Sequence, residues 1–228
     1  MLILTFDTET SGLPTTRIIN IDKTKEWPHI VQFSYLIYDT KLNVIVKIRD
    51  FIIKVPENVV ISEESIKLHG ITNKISNDTG VELQFALESF FDDMLRVEFV
   101  IGHNVSFDVN MVKMELLRLI QESSEEKQTF YKDMFYEITY FTKFRCTLQE
   151  TIDYCNILRP SKKGDMYKKF PSLTELYEKL YNKTPNNLHN ALHDVIITLI
   201  CFMKYHYDVD VANDCKEIQH MMTNLSIV

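Results

Sequence analysis

Asp7 and Glu9 close an apolar run, and that ending restricts the chain more than any other feature of its sequence. Leu2-Ile3-Leu4-Thr5-Phe6 is rich in apolar and β-forming residues and reads as a strand buried in a sheet. Residues i and i+2 of a strand share a face, so Asp7 and Glu9 project side by side. Two carboxylates ~4 Å apart repel by roughly 4 kcal/mol at an effective dielectric near 20. A core strand ending in such a pair calls for a cation there. The plain alternative is two solvated acids at a strand end.

Two later segments add weight to the pair. Residues 99–111 read as a short apolar strand, a turn marked by Gly102, and a helix start carrying Asp108. Residues 188–199 read as a capped helix start running into an apolar helix through Phe202 and Met203. The chain thus sets four acids, Asp7, Glu9, Asp108 and Asp194, on three separated elements, with His189 five residues before the last.

This ordered set resembles the DnaQ-like, or DEDDh, 3′–5′ exonucleases of the ribonuclease H-like fold. That family carries D-x-E on its first strand, an acid after an H-N-x-x-F-D-type turn, and H-x-x-x-x-D opening a late helix. The matching segments are Asp7-Thr8-Glu9, His103-Asn104-Val105-Ser106-Phe107-Asp108, and His189 through Asp194. Leu68-His69-Gly70-Ile71-Thr72 is similar to the family's H-G-I-T turn, and Ser172-Leu173-Thr174-Glu175-Leu176 to its S-L-x-x-L helix start. Cys146, before Thr147-Leu148, stands where the family often has an acid.

The resemblance spans residues 1–205 and implies an α/β, ribonuclease H-like fold with a five-stranded mixed sheet flanked by helices. Residues 1–206 would form the exonuclease domain, and 207–228 a loosely attached tail or short helix. The implied activity is metal-dependent hydrolysis of DNA from its 3′ end, releasing nucleoside monophosphates, in proofreading or repair. The alternatives are the same chemistry on RNA ends or short oligoribonucleotides, and an inactive module that only binds nucleic acid.

Phosphodiester hydrolysis needs charge neutralised on the phosphate and a water activated, which two cations ~3.5–4 Å apart supply together. Magnesium favours oxygen ligands and keeps several waters, so four carboxylates shared by two Mg2+ (or Mn2+) ions is a sensible complement. By resemblance Asp7 bridges both ions, Glu9 and Asp194 complete the tighter site, and Asp108 serves the second. His189 is the candidate general base, since histidine as a residue type titrates near neutral pH. Five residues along a helix would turn it ~140° from Asp194, so it is expected on the loop, with Asn190 as N-cap. His193 reads as structural or surface, and His103 as a turn-stabilising hydrogen bonder. His189 and His193 have a zinc-hydrolase spacing, but Asn190 stands where such a site needs Glu.

Thr10, Ser11 and Leu13 leave the strand beside the acids. Their backbone N–H groups are candidates to grip a terminal nucleotide, with Leu13 wedged against its base. Asn104 is a candidate to hold the 3′ end. Phe107 either stacks on a base or packs in the core.

With 228 residues the chain is long enough for one buried α/β core. Its net charge of −7 argues mildly against a nonspecific nucleic-acid binder. Against that balance Arg159, Lys162, Lys163, Lys168 and Lys169 cluster in one stretch, either as phosphate contacts or as a solvated loop. Cys146, Cys155, Cys201 and Cys215 lack C-x-x-C spacing and read as reduced, mostly buried thiols. With no signal-peptide pattern and no run long enough to span a bilayer, the expectation is an intracellular protein of cytoplasm or nucleus, not secreted and without a membrane partner. Its expected partners are nucleic acid with a free 3′ end, single-stranded DNA above all, and a polymerase on a separate chain.

Strands are predicted at 2–7, 30–38, 44–53, 99–101 and 144–148. Helices are predicted at 81–95, 107–120, up to 141, 149–155, 173–181 and 191–205, with loops and helical turns over 56–80.

Overall fold

In the computed structural model, which describes residues 1–227, β1 (Leu2–Thr10) is the middle strand of a five-stranded mixed sheet. The order is β3-β2-β1-β4-β5, with β2 at Ile30–Asp39, β3 at Val44–Ile52, β4 at Val100–Gly102 and β5 at Phe144–Cys146. The hairpin β2–β3 runs antiparallel to β1, whereas β4 and β5 run parallel to it. The C-terminal ends of β1, β4 and β5 therefore share one edge of the sheet. β1 is longer than expected because both acids stay in the ladder, Asp7 opposite Ser34 and Glu9 opposite Gln32, with an irregularity only between Glu9 and Thr10.

Alternation along β1 divides the core. Leu4 and Phe6 join one cluster with Phe33, Phe90, Met111 and Val112, while Ile3 joins a second with Ile101, Val195 and Leu199. The first lies under α3 (Leu83–Met94), α4 (Val105–Glu122) and α5 (Glu125–Tyr136). The second lies under α8 (Leu173–Tyr181) and α9 (Ala191–Tyr207), whose mid-section from Val195 to Met203 is buried on every side. Between β3 and α3, Ser62 and Thr72 cap two short helices, α1 (Glu63–His69) and α2 (Asn73–Thr79). Gly70 ends α1 at φ 77°, in the left-handed region that suits glycine.

Two stretches depart from expectation. Residues 207–227 are not loosely attached: α10 (Val211–Asp214) and α11 (Lys216–Asn224) pack into the second cluster, with Val211, Cys215, Ile218 and Ile227 buried. The apolar residues Val211, Ile218 and Met222 recur at helical spacing, too few to stand out in the sequence. Val228 lies outside the described residues. Between the short helical segments α6 (Thr147–Glu150) and α7 (Ile152–Cys155) and α8, a separate hairpin forms from β6 (Leu158–Pro160) and β7 (Met166–Lys168), too short to announce itself by alternation. All four cysteines are free and buried. Among the described residues no helix is long and apolar enough to cross a membrane.

Candidate active site

Three acids meet at the edge where β1, β4 and β5 end. Asp7, Glu9 and Asp194 each offer a carboxylate oxygen, and these oxygens lie within 4.8 Å of one another. Asp7 and Glu9 face the α9 side of the sheet, where the first turn of α9 brings Asp194 to them. Asp194 Oδ1 is buried without a hydrogen-bond partner. An orphaned buried carboxylate oxygen beside two further acids is costly unless a cation is bound.

The electrostatics agree. Burial first, then the repulsion of Asp108, Asp194 and Glu9, holds the Asp7 carboxyl well above the ordinary range. Burial and the charges of Asp194 and Asp108 push Glu9 up to about 8. Burial pushes Asp194 up to about 7 against an opposing backbone hydrogen bond from His189. An all-oxygen, anionic donor set of this kind fits a hard divalent cation.

Asp108 approaches from the other face of β1. It lies in the first turn of α4, and its Oδ1 accepts hydrogen bonds from the N–H and the hydroxyl of Thr8, at 3.0 and 2.7 Å. Thr8 points opposite to Asp7 and Glu9 because strand residues alternate. Burial nevertheless pushes Asp108 up to about 7, the Thr8 bonds opposing it. Asp108 is thus beside the three-acid group rather than in it. Thr8 carries no sequence signal except its place between two acids.

The segment leading into α9 is held on several sides. Asn190 caps the helix as expected, its Oδ1 accepting from Leu192 N–H at 3.1 Å. Gln32, a buried polar residue of β2, accepts the Ala191 N–H at 3.1 Å and so fastens α9 to the strand opposite Glu9. His189 sits exposed on the preceding loop, off the helix, at φ 71°. His193 donates from Nδ1 to the Asn187 carbonyl at 2.7 Å, which gives it a structural bond within this loop.

The remaining candidates are dispersed. His103 bridges Thr147 Oγ1 and the Pro171 carbonyl at 2.9 and 3.1 Å, and burial lowers it to about 4, which keeps it neutral in its turn. Asn104 is exposed in the left-handed region at φ 68° and starts α4. Phe107 packs against the first core cluster. Thr10 and Ser11 are buried, and Leu13 is 82% exposed. The Ser11 N–H is not free to grip a ligand: it donates to the His29 carbonyl at 2.8 Å, because β1 and the start of β2 continue pairing there. The H-G-I-T turn reaches the same place, with His69 Nε2 donating to the Thr10 carbonyl at 3.2 Å while Nδ1 accepts from Ile71 N–H.

Acids from β1, α4 and α9 gather at this edge of the sheet, a donor set suited to metal-assisted chemistry. Residues 4–202 match the model of the exonuclease (RNase T) family. The chain belongs to that family, a DnaQ-like one of ribonuclease H-like fold whose members hydrolyse phosphodiester bonds of nucleic acids with divalent metal ions. No curated protein matches it in sequence.

Solved structures of similar fold include Escherichia coli exonuclease I in complex with a dT13 oligonucleotide, at 16% identity and a TM-score of 0.60 over 89% of this chain and 41% of that one. A moderately thermophilic exonuclease I from Methylocaldum szegediense matches at 15% identity and a TM-score of 0.59, over 98% of this chain and 45% of that one. The zinc-bound form of the E. coli exonuclease I–single-stranded DNA complex matches at 16% and 0.59, over 98% and 43%. The chain spans less than half the length of these proteins, and the likeness is one of fold.

Proposed function

We propose that the chain is a 3′–5′ exonuclease acting on single-stranded DNA with two divalent cations, Mg2+ or Mn2+. The observation that carries this reading is the convergence of Asp7, Glu9 and Asp194, with a partnerless buried oxygen on Asp194. Asp7, Glu9 and Asp194 would hold one ion, and Asp108, steadied by Thr8, would serve the other. Bound ions neutralise phosphate charge and acidify a water. His189 accepts the proton of the attacking water, and its exposed loop position leaves the imidazole free to do so. Of the five candidates for the 3′-terminal nucleotide, Leu13 and Asn104 are exposed and free to contact it, whereas Thr10 and Ser11 are buried and Phe107 packs against the core. The four free thiols favour a reducing compartment, cytoplasm or nucleus.

DNA is favoured because similar solved structures carry single-stranded DNA in their names. RNA ends are the second reading, because the matching family model takes its name from a ribonuclease. The test is digestion of 5′-labelled single-stranded DNA and RNA of one sequence, in Mg2+, Mn2+ and EDTA, with Asp7→Ala alongside. The expected result is a ladder shortening from the 3′ end, faster on DNA and abolished by EDTA and by Asp7→Ala. A faster RNA ladder transfers the reading to RNA. No cleavage of either strand by folded protein in either metal contradicts it.

A further inference from the structure

The hairpin β6–β7 is exposed along its whole length, on both faces. A two-stranded hairpin alone in water is marginal at best, so one with no buried face has something to gain by being covered. Its own apolar groups are out in solvent: Leu158 is 52% exposed, Met166 59%, Tyr167 49%, and Phe170 at its base 57%.

The charge of the segment opposes that of the chain. Residues 157–170 hold five cations and one acid, in a protein of net charge −7. Lys168 and Lys169 are spent on Asp153 and Glu175, each at 2.6 Å, and these pairs fasten the hairpin to α7 and α8. Arg159, Lys162 and Lys163 are exposed and form no ion pair among the described residues. The register sets Arg159 directly opposite Tyr167, so guanidinium and phenol ring share one face. A cation and an aromatic ring side by side, with two more cations at the turn, match a chain of phosphates carrying stackable bases.

The hairpin is also joined to the site. Pro171, which closes its base, accepts a hydrogen bond from His103 Nε2, while His103 Nδ1 engages Thr147 at the end of β5. His103 follows Gly102 at the end of β4, in the turn that opens α4 and leads to Asp108. A Cβ on Gly102 would meet the Val105 side chain at 2.9 Å, so this turn is closely packed. The segment that follows the hairpin is thus bonded to the turn between β4 and α4, the turn that leads to Asp108.

We propose that β6–β7 is a docking surface for the single strand that leads into the site, with Arg159, Lys162 and Lys163 on its phosphates and Tyr167 against a base. The proposal rests on the nuclease reading for the identity of the strand, and its test separates the two. The triple variant Arg159→Ser/Lys162→Ser/Lys163→Ser and the single variant Tyr167→Ala are compared with wild type on a long oligothymidylate and on a dinucleotide. Binding is read in parallel by anisotropy of the labelled long strand in EDTA.

The triple variant is expected to raise KM for the long strand about tenfold. It should also lower the slope of log KM against log salt by about 2, near 0.7 for each single-strand phosphate no longer neutralised. kcat and dinucleotide cleavage should stay unchanged. Tyr167→Ala should weaken binding without altering the salt slope. If wild type degrades the long strand and the triple variant keeps its KM and salt slope, the docking surface is overturned and the nuclease reading stands. If wild type binds the strand through the hairpin but cleaves nothing in Mg2+ or Mn2+, the docking surface stands and the nuclease reading falls.

Discussion

Thr8 shows how one side chain ties two faces of a strand together. Asp7 and Glu9 point to the α9 side, and Thr8, between them, points to the α4 side and fixes Asp108 with two hydrogen bonds. Thr8→Val keeps the shape and removes the hydroxyl bond. It is expected to lower kcat roughly tenfold, as loss of a group that orients a metal ligand does, with KM for the strand unchanged. Steady-state rates in Mg2+ check this, and a variant as fast as wild type would show that Asp108 needs no such support. The crowded acids also have a thermodynamic signature. Their carboxyls titrate higher folded than unfolded, Glu9 near 8 and Asp194 near 7, so the folded state holds more protons over that interval. Their contribution to stability is therefore greatest at low pH and falls as pH rises from about 5 to about 8 in the absence of metal. Asp7→Asn relieves the repulsion. Urea unfolding in EDTA should show wild type losing at least ~1 kcal/mol more than Asp7→Asn between those pH values, and parallel curves would contradict this.

At the scale of elements, the start of α9 is the critical joint. Its position was legible in the sequence, since an Asn N-cap, an acid in the first turn and a long apolar run are local signals. What holds the loop before it was not, because the partners are distant in the chain. Asn187 Nδ2 donates to the Leu225 and Ser226 carbonyls at 3.4 and 3.2 Å, and Asn186 N–H to that of Ile227 at 2.6 Å. The loop carrying His189 is thus pinned between α9, through His193, and the segment that follows α11. Asn187→Ala should lower kcat about tenfold by letting the imidazole wander, and leave Mn2+ affinity as it was. An equal loss of metal affinity would place the residue's effect in the acids instead. The same contrast explains the hairpin β6–β7: its exposed strands lack the apolar run that made the equally short β4 legible, whereas α8 was legible from its S-L-x-x-L start, where the structure forms a Ser172–Glu175 capping box.

Over the whole molecule, the sheet lies between two large core clusters, a smaller third gathers Val31, Val55, Ile61 and Ile71, and the chain beyond α9 closes the second large one. The sheet and its flanking helices were legible because D-x-E, the Gly102 turn and the apolar α9 each fix a local element, and the family order joins them. The packing of α10 and α11 was not, since its warrant is burial against α9 and β3 rather than any strong period of its own. Ile218, fully buried in that layer, should cost about 2–5 kcal/mol when replaced by Ala, read as a lower urea midpoint with unchanged slope. A loss below ~0.5 kcal/mol would mean that the layer contributes little to the cooperative unit.

All of this turns on whether Asp7, Glu9 and Asp194 form a cation site. Calorimetric titration of Mn2+ into the metal-free protein and into Asp194→Asn, in two buffers of different ionisation enthalpy, tests that directly. Wild type is expected to bind with release of protons, as carboxyls held in their neutral form must give them up, and Asp194→Asn to bind at least about tenfold more weakly. Equal binding by both proteins, or none by folded wild type, would contradict it.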